Sequence, residues 1–289
     1  MEAMDTPILV IARLTVREAA RRRLLLALLV LTAIVIALSA WGFGRLPSIG
    51  VRGGKPISPA EVKTVASQLL ILLMFMFSGV IALSSVFVAA PSIAGEIESG
   101  IALSILARPV RRRDVVLGKW LGLAVLVTIY VVGAMAIEFV LVNVLVSYAP
   151  PHPFAAMTYL VSEGLVLLTL AMLFSTRLPG MTGGIIATVL FFVTWMLGVI
   201  GGFGTAFNNA TVTHVGTVSK LLLPTDGLWR GTIFSLEPAA VLALGSSAAG
   251  EGNPFFVGAP PTTPYLIWCA FWAVAILGLA MYSFGRREV

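Results

Sequence analysis

The apolar residues of this chain gather into six long windows, at positions 24–43, 66–90, 115–146, 156–174, 183–203 and 264–284. A helix needs about 20 mostly apolar residues to cross the hydrocarbon core of a bilayer, and the windows meet that length. The third is long enough to begin outside the membrane or to tilt. The pattern predicts an all-α, polytopic membrane protein with six transmembrane helices, and an even number of spans puts both termini on one side. Ahead of the first window, Pro7 follows Asp5 and Thr6, and Ile8, Ile11, Val16 and Ala19 interleave with Arg13, Arg17 and Arg21. That spacing predicts an amphipathic helix in the membrane interface, its apolar side in the acyl boundary and its arginines among lipid phosphates. A disordered basic leader is the plainer alternative. A cleaved signal peptide fits poorly with so long and patterned a region carrying Glu18. The chain therefore divides into an interfacial segment 1–23, a span domain 24–284 containing long connections at 91–119 and 204–263, and a tail 285–289.

Composition agrees with this division. Hydrophobic residues make up 58% and charged residues 11% of the chain, against soluble averages of roughly 45–50% and about 25%. The net charge of +6 is carried beside the spans, which speaks for orientation in an anionic membrane and against nucleic acid as a partner. Arg13, Arg17, Arg21 to Arg23, Arg108, Arg111 to Arg113, Lys119, Arg177, Arg286 and Arg287 fall on one side. Only Arg45, Arg52, Lys55, Lys63, Lys220 and Arg230 fall on the other, in longer loops. The richer side is expected to be cytoplasmic, with both termini there, in the inner or plasma membrane of a prokaryote. The single cysteine, Cys269, lies in a span and excludes an intrachain disulfide.

The only long charged passage enclosed by apolar sequence on both sides runs from 94 to 119. Glu96 and Glu98 open it, and Ile97, Ile101, Leu103, Ile105 and Leu106 follow at spacings that predict a short helix. The carboxylates suit its start and Arg108 its end, before Pro109 and the basic cluster Arg111, Arg112 and Arg113. An ordinary loop with retention charges is the bland alternative. In register, however, Glu96, Glu98, Gly100, Leu106, Pro109, Arg112, Leu117, Gly118 and Lys119 resemble the segment between the second and third spans of ABC type-2 transporter permeases, with Ile101 where that family usually has Thr. The resemblance implies that 96–113 is a coupling helix seated in a cleft of a separate ATP-binding subunit, that Glu96, Glu98, Gly100, Arg108, Pro109, Arg111, Arg112, Arg113 and Lys119 form that interface, and that 1–23 is the elbow helix of the fold. It also implies two ATPase chains carrying ATP and Mg, no cofactor on this chain, and a second permease copy, a homodimer being simplest.

Further along, LLLPTDGLWR resembles an element of the nitrous-oxide-reductase-maturation branch of that family, where short outer helices cap the exit. Pro224, Asp226, Trp229 and Arg230 are its expected cap residues, with Asp226 capping a turn; a membrane-hugging loop anchored by Trp229 is the alternative. Within the spans, Glu138 lies about 28 Å along the helix from Lys119 and Glu163 about 12 Å from Ala155. Buried carboxylates are costly in a bilayer and usually face a cavity or a partner, so Glu138, Asn143 and Glu163 are candidates for an outward substrate path, or for structural hydrogen bonds. The first outer loop reads as irregular, and its Gly53-Gly54-Lys55 is no phosphate loop, because Ile49 stands where a glycine is required and Pro56 follows. No Walker motif is present. The Met74-Phe75-Met76-Phe77 run alternates sides of a helix and reads as packing rather than a copper site, and His152 and His214 sit in separate loops, so no metal site is expected. The reading is a permease subunit of an ATP-driven exporter. The rival readings are a proton-coupled carrier using Glu138 and Glu163, and a membrane anchor for an outer assembly.

Overall fold

Each of the six windows becomes a helix. The computed structural model describes residues 7–20, 23–49, 51–52, 55–56, 58–100, 111–239, 241–242, 253 and 255–287. Arg21, Arg108, Pro109 and the apolar repeat over 101–106 lie outside the described residues. The helices are α1 (Pro7–Ala20), α2 (Arg23–Ile49), α3 (Pro59–Glu98), α4 (Arg112–Val146), α5 (Pro153–Ser175), α6 (Gly180–Ala206), α7 (Ala210–Leu222), α8 (Thr225–Leu236) and α9 (Thr263–Gly285). Of these, α2, α3, α4, α5, α6 and α9 are long and apolar enough to cross a membrane. The first outer loop is not wholly irregular: β1 (Val51–Arg52) and β2 (Lys55–Pro56) pair antiparallel.

Helix α3 is 40 residues long, about 60 Å at 1.5 Å per residue. It starts on a capping box, in which the Glu61 N–H donates to Ser58 Oγ at 3.3 Å and the Ser58 N–H to Glu61 Oε2 at 2.8 Å. It ends at Ser99, and Gly100 at φ +74° then turns the chain in the left-handed region that a glycine adopts without strain. Pro91 interrupts its hydrogen-bond ladder, since proline has no N–H and its ring crowds the preceding turn. Just past it, the N–H groups of Ile93 and Ala94 also donate to Ser175 Oγ, at the end of α5, at 3.1 and 3.0 Å. The helix continues to Glu98.

At the face carrying both termini, α1 packs along α4. A Cβ added at Gly118 would lie 2.7 Å from Ile11 Cβ, and one at Gly122 would lie 2.6 Å from the Ala12 carbonyl oxygen. This Gly-x-x-x-Gly pair lets two backbones approach as they do between membrane helices. The expected helix is present, but the side carrying Ile11 and Ala19 meets the protein. Leu9, Val10 and Leu14 stand exposed with Arg13 and Arg17. The buried core forms two clusters stacked along the bundle. One is built around Val86, Ile93, Leu123 and Leu167, the other around Leu70, Phe77, Met135 and Leu160.

Candidate functional site

Two regions concentrate the polar chemistry. The first is the terminal face. Glu96 and Glu98 do not begin a helix: they lie in the last turn of α3, where the helix dipole disfavours carboxylates. Other helices offset that cost. Lys119 of α4 pairs with Glu96 Oε2 at 2.5 Å and also donates to the Ser92 carbonyl, and the Gly180 N–H, at the positive start of α6, donates to Glu98 Oε1 at 3.3 Å. The second Arg of the basic cluster is likewise committed. Arg112 donates to the Phe284 carbonyl at 3.3 Å and to that of Arg287, and Arg177 donates to Ser283 Oγ and O at 2.8 and 3.2 Å. Both reach carbonyls at the end of α9, where intrahelical donors run out. Arg111 and Arg113 remain exposed, as does Gly100 just past the end of α3.

The second region is the connection between α6 and α9, where the expected short helices form as α7 and α8. α7 turns back antiparallel to α6. The contacts are backbone on backbone: a Cβ at Gly204 would meet Thr213 N at 2.5 Å, and one at Gly201 would meet Gly216 Cα at 2.6 Å. Gly198, about 12 Å inward from the end of α6, lies against the Asp226 carboxylate. The chain then reverses at Leu223-Pro224 and returns as α8, of whose 12 residues 10 are buried. The carbonyls left open at this break between packed helices need donors from protein. Helix α9 supplies the donors from one face: Tyr265 to the Lys220 and Pro224 carbonyls at 3.4 and 3.2 Å, Trp268 to Leu221 at 3.0 Å, and Trp272 to Leu222 at 2.9 Å.

Within the hairpin, Asp226 does not cap a turn; the N-cap position is Pro224 and makes no side-chain cap bond. Asp226 instead accepts from Arg230 Nε at 3.0 Å and lies 3.8 Å from Lys220 Nζ, while Arg230 reaches the Gly198 carbonyl at 2.9 Å. Trp229 is not an interface anchor: it is 2% exposed and packs at a tilt against Phe75, which also meets Trp195 and Phe255. The signals missed in the sequence are Gly198, Gly201 and Gly204 at spacing three on α6, and Tyr265, Trp268 and Trp272 at spacings three and four on α9.

The structure does not bring the three expected path residues together, and the two carboxylates are held by different neighbours. Glu138 accepts from Ser39 of α2, and Glu163 accepts from Ser78 of α3 at 2.7 Å; both are buried, each with one carboxylate oxygen unpartnered among the described residues. Asn143 is on an exposed face of α4. Of the Met-Phe run, Met74 and Phe77 are in the core and Met76 is half exposed.

Where α8 ends, outside the spans, Glu237 is buried and accepts from the Val257 N–H at 3.4 Å. Burial pushes its carboxyl up to about 8 from an ordinary 4.5, against a smaller opposing effect of that hydrogen bond. The fold thus favours the neutral acid. Its contribution to stability is complete below pH about 4.5 and is lost as pH rises through about 8. Thermal unfolding of the detergent-purified chain is expected to weaken across that window, and Glu237→Gln to flatten the dependence; an unchanged profile in the variant would remove Glu237 as its source.

Six bundled spans, a helix packed along one end and a hairpin packed against them at the other define a multi-pass helical membrane protein. The sequence matches the family described as ABC-2 family transporter protein over residues 9–289, and the chain belongs to that family of transport membrane proteins. Comparison with curated proteins finds no match.

Proposed function

We propose that this chain is the membrane-spanning permease subunit of an ATP-binding cassette exporter, with its terminal face in the cytoplasm of a prokaryotic cell. Two ATPase subunits, carrying ATP and Mg, dock on the 96–113 segment, and a second copy of the chain completes the assembly. The observation that carries this reading is the mechanical link at the terminal face. α3 runs unbroken to that segment, and its end is tied to α4 through Glu96–Lys119 and to α6 through Glu98–Gly180, so a push delivered there moves three spans together. The LLLPTDGLWR hairpin supports placing the chain in the nitrous-oxide-maturation branch.

Because Glu96 and Glu98 also hold the bundle together, reversing them would confound docking with stability. Arg111 and Arg113 are the better probes, both exposed, and Arg113 is 60% exposed at its side chain. The double variant Arg111→Glu/Arg113→Glu is expected to weaken recovery of an ATPase bearing Walker motifs about tenfold, equivalent to about 1.4 kcal/mol, with an unchanged melting point. Purification of the wild-type chain without any ATPase, under conditions that keep other membrane complexes intact, would sink the reading and favour a gradient-driven carrier or an anchor.

A further inference from the structure

Arginines from three separate stretches of the chain meet at the end of α9. Arg112, at the start of α4, donates to the Phe284 and Arg287 carbonyls, and Arg177, in the turn between α5 and α6, donates to Ser283 Oγ and O. Arg287 reaches back to the Thr176 carbonyl at 2.6 Å, and Arg286 lies over the Tyr282 ring, its Cζ 4.7 Å from the centroid. The hydrogen-bond partners are neutral carbonyls and a hydroxyl, and among the described residues no carboxylate pairs with any of these arginines. The carbonyl ends of α5 and α9 supply roughly half a negative charge each, which offsets about one of the positive charges brought by Arg112, Arg177, Arg286 and Arg287. The patch keeps the rest.

We infer that this patch binds the phosphate of an anionic phospholipid from the leaflet on the terminal face, with an acyl chain lying along α9. Helix α9 has 23 residues, about 35 Å at 1.5 Å per residue, against a hydrocarbon core of about 30 Å. Its last turn and the arginines beyond it therefore fall at head-group level. Ile267 at 65%, Phe271 at 61%, Val274 at 70% and Tyr282 at 56% exposure form one stripe along the helix, at spacings of four, three and eight, and Arg286 continues it one turn further. Apolar side chains, then an aromatic ring, then a guanidinium repeat the order of acyl chain, interface and phosphate. Arg286 is exposed and its side chain makes no hydrogen bond among the described residues, which leaves its planar fork to grip two phosphate oxygens. Basic pockets between helix ends take acidic head groups in this way. An acidic protein surface or a soluble anion would match the charge and leave the stripe unused. The inference rests on the spans alone and stands whether or not an ATPase docks at 96–113.

The test is native mass spectrometry of the full chain in non-ionic detergent, titrated with dioleoyl phosphatidylglycerol and, for comparison, with the net-neutral dioleoyl phosphatidylcholine. Wild type is expected to bind the anionic lipid at least about tenfold more tightly. Arg286→Gln, which removes no hydrogen bond within the described protein, is expected to weaken that binding about fivefold with an unchanged melting point, and Arg177→Gln/Arg286→Gln to weaken it about 25-fold. Lys63→Gln, an equal change of charge at an exposed position near the other end of α3, is the control and should bind as wild type does. Equal affinity of wild type for the two lipids would overturn the inference, as would full retention by both arginine variants or an equal fall in Lys63→Gln. Loss of a co-purifying ATPase or of a second copy from Arg286→Gln, with the lipid preference intact, would also overturn it and give the patch to a protein. Glycerol phosphate at the lipid's concentration is expected to displace none of it; full displacement would give the patch to a soluble anion instead.

Discussion

Asp226→Ala is expected to destabilise the folded chain by about 3 kcal/mol, because it leaves Arg230 and Lys220 without their shared counter-charge at the turn of the hairpin. The Asp226 side chain is 2% exposed, against 19% for Arg230 and 30% for Lys220. The partial exposure of the cations places the expected loss at the low end of the range for a broken buried pair. If the loss comes from unpaired charge, removing the cations as well should restore much of it. Asp226→Asn with Arg230→Met and Lys220→Met is therefore expected to melt above Asp226→Ala, although the Arg230 bond to the Gly198 carbonyl is gone. The measurement is the thermal unfolding midpoint in detergent; an Asp226→Ala protein that melts with wild type would show that the ion pairs contribute nothing to holding the hairpin in place.

A second large effect is expected at Gly201. Its missing Cβ would sit 2.6 Å from Gly216 Cα, so Gly201→Leu brings side chain against backbone, and neither helix can yield by rotating a side chain. The hairpin must move away from α6, with a loss expected to exceed about 3 kcal/mol, in the range of severe overpacking. Ser219, 2% exposed on the packed side of α7, reports the movement. With Cys269→Ala to remove the native thiol, Ser219→Cys is expected to resist a membrane-impermeant maleimide in the wild-type background and to react once Gly201→Leu is added. Gly44→Leu, where an added Cβ meets nothing within 4 Å, should leave it protected. Protection retained in Gly201→Leu would mean that the glycine contact does not position the hairpin.

Much of the architecture was legible in the chain itself, and the particular residues show where legibility stopped. Pro7 and the repeating arginines predicted α1, but the pattern could not say that Ile11 would meet Gly118 rather than lipid. Both neighbours are apolar, so the helix's own periodicity is the same in either case. Glu96 and Glu98 read naturally as the start of a new helix because the residues after them repeat at helical spacing. Their actual place, in the last turn of α3, depends on Lys119 and on the Gly180 N–H, 23 and 82 positions away.

The sequence by itself determined the six spans of the family's membrane domain, because insertion is decided by the summed transfer free energy of about 20 neighbouring residues. That is a local quantity, and Leu24 to Phe284 carry it in plain view. Only the tertiary structure decided how 210–236 packs against the spans. The segment is too polar to insert alone. It becomes stable there because Gly198, Gly201 and Gly204 give it room, Tyr265, Trp268 and Trp272 satisfy its exposed carbonyls, and Asp226 neutralises Arg230 and Lys220. Each of those favourable contacts exists only once three helices distant in sequence have already come together.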